Sequence, residues 1–327
     1  FNLQNVEGDN YLKNYRLSET SNIITDDNLL LSNLDLDWKF SDSELNTSFK
    51  VFEDLSRSYS DRYQYVFPDF NFYKSIKIPD NYNGNFNFNS YGFNKNYDTN
   101  INESVITNDF LFSSIDFINS MGISSNYNAL LKNSNSYANN SSNFEENSSY
   151  DLFGKVKVDM SLPLQKKLEN FTHYLKPVMS FRYSPNGNSD LASKDVLLNY
   201  DNVFSLNRIG SQHQVEGGES VSLGLEFKRS DIYGKDILDF NIANVLKSKE
   251  NIYLPSKSKL NKTRSDIFGN LNYYLTEELK VGYSFSYDRD LEYTNLEQFN
   301  LEYGVNNFFT NFTYYREDND IGDKETF

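Results

Sequence analysis

Apolar and polar side chains alternate along many short segments of this chain, most clearly between residues 219 and 317. From Val221 to Phe227 every odd position is Val, Leu or Phe, and the positions between them are Ser, Gly or Glu. Successive side chains of a β-strand point to opposite faces, so each such segment forms a strand with one apolar and one polar face. Strands of this kind are typical of a transmembrane β-barrel, in which lipid meets one face and water the other.

The same alternation, combined with the positions of turn residues, predicts about fifteen strands. Most are longer than the strands of soluble sheets and close to the length that a tilted membrane strand needs. The predicted strands cover residues 9–16, 28–40, 44–55, 63–75, 84–97, 104–117, 122–132, 150–160, 173–184, 219–229, 237–247, 266–274, 279–288, 296–304 and 308–317.

The connections between these strands alternate in length from residue 150 onward. The short ones are 161–172, 230–236, 275–278 and 305–307, and the longer ones are 185–218, 248–265 and 289–295. The polar segment 133–149 is predicted to be another long loop. Short periplasmic turns and longer external loops are the pattern of an outer-membrane barrel. The sequence therefore predicts an all-β, antiparallel transmembrane β-barrel, incomplete here, with residues 1–327 forming part of one barrel domain.

Composition excludes several classes of protein. A net charge of −15 without a basic stripe argues against nucleic acid as a partner. The absence of Cys removes disulfides and thiolate metal sites. No stretch approaches the roughly 20 apolar residues of a helical membrane span. The mean hydropathy of −0.66 remains compatible with a barrel, because only alternate strand residues meet lipid.

Few residues are candidates for chemistry. The two histidines are His173, at the start of a predicted strand, and His213, in a long polar loop, and no Gly-x-Ser-x-Gly motif accompanies them. Acidic pairs lack the spacing of an EF-hand. The segment from Glu216 to Glu219 is interpreted as a corner between loop and strand, because its paired glycines permit unusual backbone angles. We expect no catalytic residue, no cofactor and no metal site.

Two prolines and one glycine mark irregular strand positions. Pro68 and Pro177 lie inside predicted strands, where each removes a ladder hydrogen bond. They indicate local bulges or strand-start positions, or else weakened pairing that would permit lateral opening. The phase of alternation slips by one residue beside Gly92, which predicts a β-bulge.

Four segments in order along the chain resemble one known family. The run from Tyr174 to Asn186 is similar to a barrel strand of LptD, the LPS-assembly outer-membrane protein family, and residues 204–225 resemble the passage that follows it. Residues 9–15 and 65–70 resemble earlier parts of the same barrel. The family-like positions are Tyr11, Leu12, Pro68, Leu175, Pro177, Arg182, Leu206, Arg208, Gln214 and Gly218.

The resemblance implies a function and a set of partners. An LptD-like barrel in the Gram-negative outer membrane would receive lipopolysaccharide from the periplasmic Lpt bridge and insert it into the outer leaflet. It would enclose the plug lipoprotein LptE and contact outer-membrane lipid. The family's barrel is larger and follows a periplasmic jellyroll, so the jellyroll and the remaining strands are expected outside this chain.

Three alternatives stay open from the residues alone. A porin-like diffusion channel would show the same strand pattern. An outer-membrane lipase would depend on His173 or His213. A soluble secreted β-protein would pack its apolar faces against each other instead of forming a belt.

Overall fold

A computed structural model describes residues 1–20, 26–185, 191–192, 196–318 and 324–326. Parts of the predicted connections 17–27 and 185–218 lie outside the described residues. The described chain is an all-β antiparallel protein with a few short helices. No helix within these ranges is long and apolar enough to cross a membrane.

The strands follow one another along the chain and are numbered in that order. Within the described ranges they are β1 (Leu29–Lys39), β2 (Ser43–Asp54), β3 (Tyr63–Ile76), β4 (Gly84–Tyr97), β5 (Ile101–Ser114), β6 (Phe117–Ile118), β7 (Ser124–Asn139), β8 (Asn147–Ser161), β9 (Leu164–Lys167), β10 (Phe171–Ser184), β11 (Gly218–Asp231), β12 (Asp236–Lys247), β13 (Ile267–Tyr274), β14 (Leu279–Tyr287), β15 (Thr294–Val305), β16 (Phe308–Glu317) and β17 (Lys324–Thr326). The helices are α1 (Tyr11–Tyr15), α2 (Leu17–Thr20) and α3 (Tyr200–Val203), with 3-10 turns at Tyr59–Asp61, Asp80–Tyr82 and Lys257–Lys259.

The chain divides into two compact units. The first comprises residues 1–112 and 130–153, and the second comprises residues 113–129 and 154–327. In the first unit β1, β2, β3 and β4 pair in sequence as an antiparallel meander. In the second unit β10 pairs with β8 and β9 on one side and with β11 on the other. From β11 each strand pairs with its successor as far as β17.

The predicted first strand, residues 9–16, is wrong: this segment contains α1. Its side chains suit a single helical turn, because the rings of Tyr11 and Tyr15 are in tilted contact with centroids 4.8 Å apart and Leu12 is fully buried against Leu30 and Leu55. Over five residues the helical and extended periods place the same side chains together, so alternation alone does not separate them.

The predicted loop 133–149 is also largely wrong, because β7 continues to Asn139 and β8 begins at Asn147. The polar residues that suggested a loop satisfy one another inside the strand. Asn135 Nδ2 donates to Asn133 Oδ1 at 2.7 Å, and Asn108 Nδ2 donates to the same oxygen at 3.3 Å. Hydrogen-bonded amide side chains therefore replace the apolar contacts from which strands are usually recognised.

In the pairing of β3 with β4 the bulge lies beside Pro68, and Gly92 is in register with Phe70. The pairing of β3 with β4 is continuous from Ile76 through the partner of Gly92, and its register shifts between Val66 and Asp69. The pairing of β2 with β3 shifts at the same place. The Phe67–Pro68 peptide is cis. The expectation of a local bulge at Pro68 is confirmed, because the missing N–H falls where the ladder is interrupted.

The remaining boundaries agree closely with the sequence prediction. The predicted turn 161–172 contains the short strand β9, which explains its length. The long connections between β10 and β11 and between β12 and β13 contrast with hairpin turns at 168–170, 232–235, 275–278 and 306–307. In the first unit the connections do not alternate between short and long in this way, because the connection from β4 to β5 has only residues 98–100.

Candidate functional site

In the second unit, the polar face of several strands is covered by residues 196–217, most of the described part of the connection from β10 to β11. Buried charged side chains from both sides meet there. We call this group the anchor cluster; its members are Lys155 and Lys157 of β8, Arg182 of β10, Lys247 of β12, and Arg208 and Glu216 of the connection.

Arg208 and Glu216 form the centre of the anchor cluster, and each is only 2% exposed. Arg208 Nε donates to Glu216 Oε2 at 2.7 Å, and Nη2 donates to Oε1 in the same fork. The guanidinium also donates to the hydroxyls of Ser220 at 3.1 Å and Ser222 at 3.2 Å. A two-pronged Arg–carboxylate pair fixes orientation as well as distance. It therefore ties the connection to the alternating polar positions at the start of β11.

Three consecutive carbonyls of the connection, those of residues 204–206, each accept a bond from a different strand cation. Lys157 Nζ donates to the carbonyl of residue 204 at 2.7 Å, and Lys155 Nζ donates to that of residue 206 at 2.9 Å. Arg182 Nη2 donates to the carbonyl between them. These carbonyls follow α3 in a segment outside the regular strands and helices, so the strand cations satisfy backbone acceptors that would otherwise be buried without a partner. The strands β8 and β10 thus hold the connection through its backbone.

Charge in the anchor cluster is unequal. It has five cations, of which Arg208, Lys247 and Arg182 lie near Glu216, and the further carboxylate of Asp159 forms a 2.7 Å ion pair with Lys157. Burial alone would raise the pKa of Glu216, but Arg208, Lys247 and Arg182 outweigh it and hold that pKa below its ordinary value. Glu216 therefore stays ionised and offsets part of the buried positive charge.

Arg182 is incompletely satisfied despite its burial. Its Nη1 lies 3.9 Å from Glu216 Oε2, beyond hydrogen-bond distance, and its Nε and Nη1 make no hydrogen bond within the described residues. The nearby Ser180 hydroxyl is likewise unpartnered there. The polar face of β10 therefore combines net positive charge with unused donors.

The connection from β12 to β13 packs beside the first connection. Lys247 Nζ donates to the carbonyl of Leu260 at 3.0 Å and lies 3.3 Å from Glu216. The Ser258 hydroxyl accepts a bond from the backbone N–H of Leu198 at 2.9 Å. An apolar core unites both connections with the polar-face side of β12 and β13; it comprises Leu191, Leu198, Val203, Ile209, Ala243, Val245, Leu254, Leu260 and Phe268.

The first unit repeats this arrangement on a smaller scale. Glu103 of β5 is 2% exposed and accepts bonds from Ser141 Oγ at 2.6 Å and Asn143 Nδ2 at 3.0 Å, both in the connection 140–146. Tyr97 of β4 also donates to this carboxylate at 2.9 Å. A single buried acid thus fastens the connection from β7 to β8.

The opposite face of the second unit is apolar and exposed. Met179, Phe181 and Leu223 are 40%, 43% and 40% exposed, although they occupy the middle of long paired strands. One cross-strand row runs from β9 to β16 and consists of Leu164, Leu175, Phe227, Phe240, Leu271, Tyr283, Phe299 and Tyr314. An apolar surface of this extent is not left in contact with water. It is the lipid-facing surface that alternation predicts.

Three of the family-like positions meet in the anchor cluster: Arg182 and Arg208 through their side chains, and Leu206 through its carbonyl. Gln214 lies in the same connection. Gly218 begins β11 with φ of +90°, which supports the interpretation of this segment as a corner.

The other family-like positions lie apart from the cluster. Leu175 and Pro177 are on the apolar face of β10, Pro68 is in β3, and Tyr11 and Leu12 are in α1. Lys155, Lys157 and Lys247 were not predicted to be site residues. Each occupies a polar position in an alternating strand, which predicts that its side chain points to the polar face but not which residues it contacts there.

His173 lies on the apolar face with its ring edge-on to Phe227, at a centroid distance of 5.7 Å. Within the described ranges no group of three or more His, Asp or Glu side chains is arranged to hold a metal ion.

An antiparallel sheet with a polar face beneath folded-in connections and a broad exposed apolar face defines a class of protein, the outer-membrane β-barrels. Within that class the chain belongs to the LptD family: the family model described as LPS transport system D matches residues 1–326. The family places the chain in the outer membrane of a Gram-negative bacterium.

Two solved outer-membrane receptors resemble the chain. The siderophore receptor PirA from Pseudomonas aeruginosa shares 12% identity at a TM-score of 0.45, covering 92% of this chain and 64% of the receptor. The alcaligin receptor FauA from Bordetella pertussis shares 9% identity at a TM-score of 0.32, covering 91% and 61%. The chain thus spans less than two thirds of the length of either receptor. No curated protein matches the chain.

Proposed function

We propose that this chain is part of a barrel that carries lipopolysaccharide to the outer leaflet of the outer membrane. The family match over nearly the whole chain supports the proposal. The structural observation that carries it is the pairing of an exposed apolar face with a polar face rich in buried cations. We further propose that residues 1–327 belong to a single barrel domain, completed by strands outside this chain.

The two faces suit the chemistry of the cargo. The glycan of lipopolysaccharide cannot cross hydrocarbon and needs a hydrated polar surface, whereas its acyl chains can stay in lipid. The lipid is anionic and the chain carries −15, so uniform negative potential would oppose its passage. Cations of the anchor cluster reduce that potential on the polar face. Such transport breaks no covalent bond, so the protein acts without catalysis.

The proposed partners follow from this role. They are lipopolysaccharide, the plug lipoprotein LptE, the periplasmic Lpt bridge and outer-membrane lipid. Nucleic acid and cofactors have no part in it.

The test is transport by the full-length protein that contains this chain. It is expressed in cells depleted of their own LptD, and newly made lipopolysaccharide is pulse-labelled and assayed for modification by a reagent confined to the cell exterior. We expect surface labelling to be restored. Vesicle conductance is measured in parallel. Free passage of small solutes together with unrestored lipopolysaccharide labelling would identify a diffusion channel and reject the proposal.

A further inference from the structure

Three nitrogen-bearing side chains share one cross-strand row at the border of the apolar face. His173 of β10 is directly opposite Lys166 of β9 on one side and Arg229 of β11 on the other. The row is two residues along each strand from the apolar row containing Leu175 and Phe227. Side chains two apart on a strand point to the same face, so these three side chains lie on the lipid-facing side. We call them the basic row.

The basic row lies at the end of the strands that carries the hairpin turns. The turns at 168–170 and 232–235 follow it immediately, whereas residues 196–217 and 248–266 emerge from the opposite end. Short turns mark the periplasmic end of an outer-membrane barrel. The basic row therefore lies at headgroup depth in the periplasmic leaflet, which is composed of glycerophospholipid.

Lysines on the other face of the same strands form ion pairs, and the basic row does not. Lys176 lies 3.3 Å from Glu226, and Lys228 lies 2.7 Å from Asp236. Within the described residues Lys166 and Arg229 form no ion pair. The acids Glu226 and Asp236 thus pair with lysines of the polar face, and within the described residues no acid forms an ion pair with the basic row.

The arrangement of Arg229 favours an external anion. Its guanidinium carbon lies 3.6 Å from the centroid of the Phe171 ring, which holds the cation at the edge of the apolar surface. His173 Nε2 and Arg229 Nε are buried atoms that make no hydrogen bond within the described part of the chain, so the part of Arg229 that can meet an external anion is the end of its guanidinium. The nearest acid along β11, Asp231, uses its Oδ1 to accept bonds from the backbone N–H groups of Tyr233 and Lys235.

We propose that Lys166, His173 and Arg229 bind the phosphate of an anionic glycerophospholipid in the periplasmic leaflet. Lys166 and Arg229 would supply the positive charge and the donors, His173 would lie between them, and the neighbouring apolar row would contact the acyl chains. The site positions the barrel at this membrane depth. It is separate from the path of lipopolysaccharide along the polar face.

The experiment measures lipid preference of the full-length protein with its native partner subunit. The protein is reconstituted in nanodiscs of phosphatidylcholine containing spin-labelled phosphatidylglycerol, and the fraction of motionally restricted probe gives its relative association. The test variant combines Lys166→Gln with Arg229→Gln. The matched control combines Lys176→Gln with Lys228→Gln, which removes the same charge from the opposite face of neighbouring strands.

We expect the preference for phosphatidylglycerol to fall about tenfold in the test variant and to change less than about twofold in the control. Equal preferences in wild type and test variant, or an equal loss in the control, would overturn the proposal. A parallel series uses spin-labelled lipid A, and a preference confined to that probe would also overturn it. Heat-modifiable migration verifies folding. If the double variant does not fold, His173→Gln and Arg229→Gln are measured singly, and no loss in either rejects the site.

Discussion

The centre of the anchor cluster gives the sharpest prediction, for Glu216→Gln. The substitution keeps size and shape and removes one charge. In the wild type this carboxylate accepts the fork of Arg208 and lies 3.3 Å from Lys247. The side-chain oxygen of Gln can accept a hydrogen bond from one of these cations. The NH₂ group that replaces the second oxygen is a donor and cannot accept a hydrogen bond from another cation. Buried Arg208, Lys247 and Arg182 then lose the carboxylate with which they form ion pairs.

The magnitude follows from burial. Removing one partner of a buried ion pair costs about 3–5 kcal/mol, because the remaining charge stays desolvated. Opening of residues 196–217 into water relieves that cost, since it re-hydrates the cations without breaking the β-ladders. The population of the open connection is therefore expected to rise roughly a hundredfold or more.

Protease accessibility measures this opening. Full-length protein in lipid vesicles is digested at low protease concentration, and cleavage within 196–217 is followed by mass spectrometry while heat-modifiable migration reports the barrel. The matched control is Glu219→Gln, three residues later and exposed at the start of β11. We expect rapid cleavage in Glu216→Gln and wild-type rates in Glu219→Gln. Equal cleavage in all three proteins would refute the assigned role of the anchor cluster.

The dependence on pH has a definite sign. Neighbouring cations hold the pKa of Glu216 below its ordinary value of 4.5. A lowered pKa contributes stability that is fully present above the ordinary value and is lost only as pH falls through the lowered one. Wild-type residues 196–217 are therefore expected to remain protected from pepsin in mildly acidic buffer near the ordinary value. The Glu216→Gln connection is expected to be cleaved throughout that range.

Three further predictions concern other contacts. Glu103→Gln is expected to weaken the hold on residues 140–146 by about 1–3 kcal/mol, seen as faster cleavage there. Burial raises the pKa of Asp266 above 3.8, so the stability of the wild type falls as pH rises through that raised pKa. The urea concentration at the unfolding midpoint is expected to fall over this pH range in the wild type, and Asp266→Asn is expected to remove that change. Gly269→Ala is expected to destabilise by about 1–3 kcal/mol, because its Cβ would meet the Asn241 carbonyl and the Phe285 ring, whereas Gly154→Ala meets nothing within 4 Å; equal midpoints for the two glycine variants would contradict this.

The strands were predictable from sequence where local pattern decides structure. The alternation from Val221 to Phe227 gave both the existence of β11 and its two faces, because lipid on one side and water on the other impose a strict period. The same reasoning failed at α1, where five residues are too few to distinguish two periods. It failed again at Asn133, where amide hydrogen bonds support a strand without apolar side chains.

The candidate site was less accessible to sequence reasoning. Arg182 and Arg208 were singled out through resemblance, and their roles were not predicted. Lys157 contacts a carbonyl 47 residues away, and Lys155 one 51 residues away. These contacts depend on which strands pair and in what register. Local periodicity identifies the polar face but carries no information about the segment that will cover it.

Phe181 and Arg182 are neighbours in β10 that point to opposite faces. This alternation specifies the register of β10 against β11, because a shifted register would place both side chains on the wrong face. A slip of one residue against β11 would expose the guanidinium to hydrocarbon, at about 2–4 kcal/mol near the bilayer midplane. It would also withdraw the donor that holds the Ser205 carbonyl. Misaligned barrels would therefore have both an unfavourable exterior and a loosely held connection inside, so two separate costs favour the correct alignment.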